Sequence, residues 1–250
     1  MTVKTHPIAL LLLFFLGKTT LLAQLKSPNE FLPHRMGEQF TPHFQLVDYF
    51  EQVAKNATAT VKLTQIGATN EDRPQILAFI SSPENINNLE KIRQQHLREA
   101  GLGDGKAAPG ETPVAVVWLS YSVHGNEAAG SEASMQLLFD LAAQTDPDIK
   151  NWLKNTVVII DPSQNPDGYD RYTHWYRMAS NRIAQPNPAS REHKEPWPGG
   201  RPNHYYFDLN RDWAWLTQVE SENRIRAYHE WLPHVHADIH EQYKQNPYYF

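Results

Sequence analysis

His124 and Glu127 stand three positions apart in Val114-Ala-Val-Val-Trp-Leu-Ser-Tyr-Ser-Val-His-Gly-Asn-Glu127, directly after a run of apolar residues. Across a turn, an imidazole and a carboxylate at this spacing point into one space. They supply two of the three protein ligands that a catalytic zinc takes while a fourth position stays open to water. A third ligand has to come from a distant segment, and His234-Val-His-Ala-Asp-Ile-His-Glu241 offers candidates. There Val235, Ala237 and Ile239 alternate with His234, His236, Asp238 and His240, the pattern of a strand with one polar face. His240, at the carboxyl end, is the best donor. A separate site made of His234, His236 and His240 is the weaker alternative, because it leaves His124 and Glu127 unused. With no cysteine in the chain, thiolate ligands and cysteine nucleophiles are excluded. Neither His229-Glu230 nor His240-Glu241 extends to His-Glu-x-x-His, and Gly-x-Ser-x-Gly is missing.

The elements that must position these residues follow from local patterning. Val114 to Leu119, preceded by Pro113, reads as a strand buried on both faces, and helical spacing begins at Ala128. His124 and Glu127 therefore fall just beyond the carboxyl end of a strand, where open α/β sheets gather their ligands. Upstream, Thr41-Pro42 offers an N-cap and a first-turn proline for a helix carrying Phe44, Val47, Phe50 and Val53. Residues 61–66 and 75–81 read as strands joined by a connection too short for a helical crossover, so they should pair antiparallel. Ser82-Pro83-Glu84 starts a helix running to about Gly101, and Thr156 to Ile160 forms a second core strand. From Asp161 to about Thr217 regular patterning largely stops, and such a long irregular stretch is usually functional. An amphipathic helix then runs from Thr217 to Leu232 and is stopped by Pro233. The expected fold is α/β, with helices on both faces of a mixed, mostly parallel central sheet that is antiparallel at its start.

The chain of 250 residues, 40% hydrophobic and 20% charged, is enough for one sizeable domain. Lys4, the apolar run Ile8 to Leu16 and the small residue Ala23 read as a secretory signal peptide over residues 1–23. Residues 24–40 read as a connecting arm and 41–250 as the catalytic domain. The chain is then exported, to the periplasm or the extracellular space. No segment approaches the roughly 20 apolar residues of a membrane span. Removing residues 1–23 lowers Lys+Arg from 23 to 21 against 28 Asp+Glu. So acidic a surface does not favour nucleic acid.

Further motifs narrow the chemistry. Asp208-Leu-Asn-Arg-Asp-Trp213 gathers an acid, an amide and a guanidinium, whose planar fork matches a carboxylate. Arg177 is a second candidate cation. Together with Gly67-Ala-Thr-Asn-Glu-Asp-Arg73, His124-Gly-Asn-Glu127, Asn165-Pro-Asp-Gly168 and Asp238-Ile-His240, these pieces resemble the zinc carboxypeptidases of the carboxypeptidase A type, the M14 peptidase family. They occur in the family's order over about residues 40–250, and the resemblance implies the N-terminal part of that catalytic domain. It makes His124, Glu127 and His240 the ligands of one Zn2+. Asn210 and Arg211 would grip the free C-terminal carboxylate of a peptide or protein substrate, Arg177 would stabilise the oxyanion, and Asp208 would fix the His124 ring. The family's general-base glutamate and substrate-capping tyrosine lie well beyond the third ligand. Glu241, Tyr248 and Tyr249 are too close to it to match them, so the resemblance implies a domain that continues past Phe250. The competing expectations are an amidase or deacylase on the same scaffold, acting for instance on cell-wall peptides, and an inactive metal-binding module.

Overall fold

The computed structural model describes residues 25–105 and 113–242; the expected signal peptide and the tyrosines at 248 and 249 lie outside them. Five strands form one sheet in the order β1-β2-β4-β3-β5. β1 (Val61–Ala68) and β2 (Pro74–Ile80) make the antiparallel hairpin that the short connection predicts. β2 also runs antiparallel to β4 (Thr156–Asp161), whereas β3 (Ala115–Tyr121) is parallel to β4 on one side and to β5 (Val235–Ile239) on the other. Strand order thus reverses at β3, leaving a crevice beyond the carboxyl ends of β3 and β5.

Alternation along the strands divides the core into two layers. Ala78, Ile80, Tyr121, Val158 and Ile160 face α2 (His43–Asn56) and α5 (Ala129–Ala143), which contribute Leu46, Phe50, Val53, Met135 and Leu138. Leu77, Phe79, Val116, Trp118, Val157 and Ile159 face the opposite way, against Leu89 of α4 (Leu89–Glu99) and Ala227 and Trp231 of α8 (Val219–Trp231). Such two-sided burial explains why β3 and β4 read as continuous apolar runs.

Several expectations are corrected. In the segment read as a connecting arm, α1 (Pro28–Phe31) leads to a buried Leu32, and Phe31 and Met36 pack against the first core layer. Thr41 does not cap α2; its amide and hydroxyl donate to the buried Glu132 carboxylate of α5. The helix expected from Ser82 to Gly101 breaks at Asn88 into α3 (Pro83–Asn87) and α4. There Asn85 turns inward to donate to the Leu153 and Lys154 carbonyls, tying α3 to the turn before β4.

The largest departure lies in the stretch from Asp161 onward. Its first part forms α6's successor α7 (Pro166–Ala179), after the short α6 (Pro147–Trp152). Asn165 caps α7 by accepting from the Gly168 amide at 3.0 Å, with Pro166 in the first turn. The buried face of this helix is largely polar, so it leaves no apolar stripe in the sequence. Thr69 donates to Asp167 at 2.6 Å, and Arg73 bonds Asp167 and Asp170, each at 2.9 Å. The Gly67–Arg73 motif thereby fastens the β1–β2 turn to α7. From 180 to 218 the chain is irregular apart from two single 3-10 turns, Arg191–His193 and Leu209–Arg211.

Candidate metal centre

β3 and β5 are adjacent and parallel, so the residues that follow them emerge side by side. His124 follows β3 and His240 follows β5. Glu127, on the turn before α5, lies between them: its Oε1 is 2.8 Å from His124 Nδ1 and its Oε2 is 2.9 Å from His240 Nδ1. The candidate ligand atoms of all three residues lie within 4.8 Å of one another. This turn is packed tightly from below. A Cβ on Gly125 would come within 2.1 Å of the Tyr169 amide nitrogen and 2.6 Å of the Gly200 carbonyl oxygen, so only glycine lets α7 and the 199–202 loop support it.

The outer nitrogen of each histidine meets a carboxylate. Asp208 Oδ1 is 3.1 Å from His124 Nε2, and Asp238 Oδ2 is 3.1 Å from His240 Nε2. A carboxylate on the far ring nitrogen fixes the tautomer and orientation of a ligating histidine, leaving the near nitrogen to the metal. Burial raises the Glu127 carboxyl, but hydrogen bonds from His124, the Glu241 amide and His240 outweigh it and hold the group below its ordinary value. Burial likewise raises Asp208, and the charges of His124 and Arg201 overcome it. Two imidazoles and one ionised carboxylate, convergent and individually oriented, fit a catalytic zinc.

One residue at this centre carries no motif that singled it out. The guanidinium of Arg201 bonds Asp208 Oδ2 at 3.0 Å through Nη2, and its Nη1 lies 3.7 Å from Glu127 Oε1. Its backbone is pinned, since Asn165 Nδ2 donates to the Arg201 carbonyl and Arg171 holds the carbonyls of Gly199, Pro202 and Asn203. Proximity to Asp208-Leu-Asn-Arg211 was the only signal in the sequence. Arg177 is elsewhere: it occupies the exposed last turn of α7, near His34, whose imidazole is lowered first by burial and then by the Arg177 charge, and it makes no bond to the cluster among the described residues. The residues between Asn165-Pro-Asp-Gly168 and Arg177 being helical, rather than loop, carry it there.

The chain matches the zinc carboxypeptidase family over residues 46–231. It belongs to that family. It is 30% identical to "Probable carboxypeptidase 2" of Arthroderma benhamiae over 128 residues, which is 50% of this chain and 18% of that protein. With carboxypeptidase D of Homo sapiens it shares 29% identity over 142 residues, 54% of this chain and 9% of the relative. The chain thus spans less than a fifth of the length of these relatives. In fold it resembles the carboxypeptidase A of Helicoverpa armigera, with a TM-score of 0.55, 18% identity and coverage of 82% of this chain and 46% of that one. A metallo-carboxypeptidase of Burkholderia cenocepacia gives 0.53, at 18% identity over 80% and 40%.

The remaining candidates sort by position. In this zinc carboxypeptidase chain Asp208 caps the Leu209–Arg211 turn by accepting from the Asn210 amide at 3.0 Å. Arg211 is exposed and bonds only the Asn210 carbonyl among the described residues. His234 accepts from the Val116 amide and stacks on His96, while His236 bonds Ser120; neither joins His240 in a strand-face site. Glu71, Asp167 and His204 make a second ligand-like group. Arg73 already bridges its two carboxylates, at 2.6 and 2.9 Å, so this group is an ion-pair lock.

Proposed function

We propose that this protein is an exported zinc metallocarboxypeptidase that hydrolyses the C-terminal peptide bond of peptides or proteins. The observation carrying the reading is the convergence of His124, Glu127 and His240 with the guanidinium of Arg201 beside them. Zinc held by the three ligands supplies Lewis acidity toward the scissile carbonyl and a nucleophilic water at neutral pH. Arg201 donates to the carbonyl oxygen as it gains negative charge, the role that preorganised donors fill in acyl transfer. Asp208 holds Arg201 with one oxygen and His124 with the other, so the donor and the ligand keep one spacing. Asn210 and Arg211, on an exposed turn next to Asp208, receive the terminal carboxylate of the substrate. Export rests on the signal-like residues 1–23; among the described residues no helix is long and apolar enough to cross a membrane.

The experiment is a comparison of free-acid and C-terminally amidated peptides with the full-length protein. Only the free acids should be cleaved, and Arg211→Ala should cost on the order of 2 to 5 kcal/mol of transition-state binding. Equal turnover of acids and amides would rule out carboxylate recognition and with it the carboxypeptidase reading.

A further inference from the structure

Beside the metal centre lies a cleft of about 390 Å³, a volume typical of small-ligand sites. Asn126, adjacent to Glu127, and Gln242, two residues after His240, both line it, so it opens along the two segments that carry the ligands. Neither Arg201, Asn210 nor Arg211 contributes to its walls. The cleft therefore extends away from the turn that receives the terminal carboxylate.

Its remaining chemistry is acidic and aromatic. Glu195 accepts from Asn126 Nδ2 at 2.9 Å with Oε2 and from the Gly200 amide with Oε1. Each carboxylate oxygen retains a second lone pair, and Glu195 makes no ion pair with any described residue. The two arginines that pin the adjoining loop are directed elsewhere: Arg171 holds three loop carbonyls and Arg201 holds Asp208. On the rim, His193 has its Nε2 at the Gln185 carbonyl, and Glu192 is taken up by the amides of Asn181 and Gln185. The rings of Tyr172 and Trp175, 5.6 Å apart and tilted by 48°, form the aromatic wall. Burial, followed by the charges of Glu195 and Glu241, pushes the Tyr172 phenol well up, so the negative field reaches that wall. A carboxylate without a cation, flanked by two aromatic faces, is the environment that a guanidinium or ammonium seeks.

We propose that this cleft binds a cationic group of the peptide substrate on the amino side of the scissile bond, with Glu195 as counter-ion and Tyr172 and Trp175 as walls. The assignment rests on the carboxypeptidase reading for which bond is cut. The binding itself does not depend on turnover. It makes the protein selective for peptides with a lysine- or arginine-like group upstream of the residue released.

The test uses the full-length protein and paired peptides that differ only by lysine or norleucine at the penultimate position, each with a free or acetylated amino terminus. Calorimetric binding to the metal-free protein is measured beside hydrolysis by the zinc-loaded one. Wild type should favour lysine at least about tenfold in both, as a partly desolvated charge-assisted contact does. Glu195→Gln keeps an acceptor for the Gly200 amide, so it should bring the ratio close to one while leaving norleucine peptides unchanged. That unchanged behaviour reports an intact fold. The preference should survive acetylation, because both members of a pair carry the same amino terminus and differ only in the side chain that the cleft is proposed to bind. A ratio near one in wild type, or the same ratio in wild type and Glu195→Gln, overturns it. Lysine-selective binding without any C-terminal hydrolysis would instead overturn the carboxypeptidase reading alone.

Discussion

Asp238 Oδ2 stands 3.1 Å from His240 Nε2, matching the 3.1 Å between Asp208 Oδ1 and His124 Nε2 on the other side of Glu127. The two supports differ in what lies behind them. Asp208 is half-exposed and braced by Arg201. Asp238 is braced from the interior: Ser120 Oγ donates to its Oδ1 at 2.9 Å and Gln164 Nε2 at 2.6 Å. Gln164 in turn accepts from Nη1 of Arg224, whose fully buried guanidinium lies 3.9 Å from the Trp213 ring centre. A buried cation thus anchors, through one amide, the carboxylate that orients His240.

Removing either support should loosen the metal without unfolding the chain. Asp238→Asn and Asp208→Asn should each weaken zinc binding by about 10- to 100-fold, the usual effect of losing such a partner. Gln164→Leu, which cuts the link from Arg224, should weaken it in the same direction. Competition with a chelator of known affinity measures all three. Asn variants that hold zinc as tightly as wild type would mean that the two histidines are oriented by their backbones.

Arg201 and Arg177 make opposite forecasts. Losing one preorganised donor to a developing oxyanion typically costs about 10² to 10³ in kcat. Arg201→Gln should show that loss with KM little changed and zinc stoichiometry intact. Arg177→Gln, altered at the exposed end of α7, should stay within about threefold of wild type. Steady-state kinetics and metal analysis on the same preparations decide between them. Loss of zinc in step with activity in Arg201→Gln would make that residue a support for Asp208 and nothing more.

These contrasts mark what was legible in the residues. β3 and β4 declare themselves as short, unbroken β-rich apolar runs, and α8 because its apolar residues recur at helical spacing; the short connection marks the β1–β2 hairpin. The three-residue spacing of His124 and Glu127, and the alternation that ends at His240, are equally visible, and parallel neighbours β3 and β5 bring them together. α7 is hidden because its inner face is made of Asp167, Asp170 and Thr173, buried by hydrogen bonds and ion pairs that form only when Thr69 and Arg73 arrive from the hairpin. Arg201 is hidden for a related reason. Its position comes from a loop fastened by side chains on α7, and no local pattern encodes a contact between segments so far apart.

Gly125→Ala tests how firmly that loop and helix support the metal turn. The added methyl would overlap backbone atoms of Tyr169 and Gly200, which cannot rotate away as a side chain can. Overpacking of this kind typically costs about 1 to 3 kcal/mol, and here relief must come from moving the turn that holds His124 and Glu127. The variant should therefore lose stability in urea and zinc affinity together. Full zinc affinity at reduced stability would show that the strain relaxes into α7 instead.

Asp161 gives a prediction in pH. It ends β4 opposite Ser120, fully buried, and its Oδ2 has no hydrogen-bond partner among the described residues. Burial pushes its carboxyl up; Arg224 pulls it down, Asp238 pushes it up again and the Ser163 amide pulls it down, leaving it at about 7 against an ordinary 3.8. A folded value above the unfolded one means that, between those two values, the native state holds a proton the unfolded chain has released. Stability from this group is then complete below the unfolded value and is lost as pH rises through the folded one, by on the order of a few kcal/mol. Asp161→Asn cannot ionise and should lack this slope. Urea unfolding of both proteins from about pH 4 to about pH 8 isolates the effect, because every other titrating group is shared. The stability of wild type relative to Asp161→Asn should fall across that range and level off above about pH 7. A relative stability that stays flat or climbs would mean that Arg224 keeps Asp161 ionised in the folded protein.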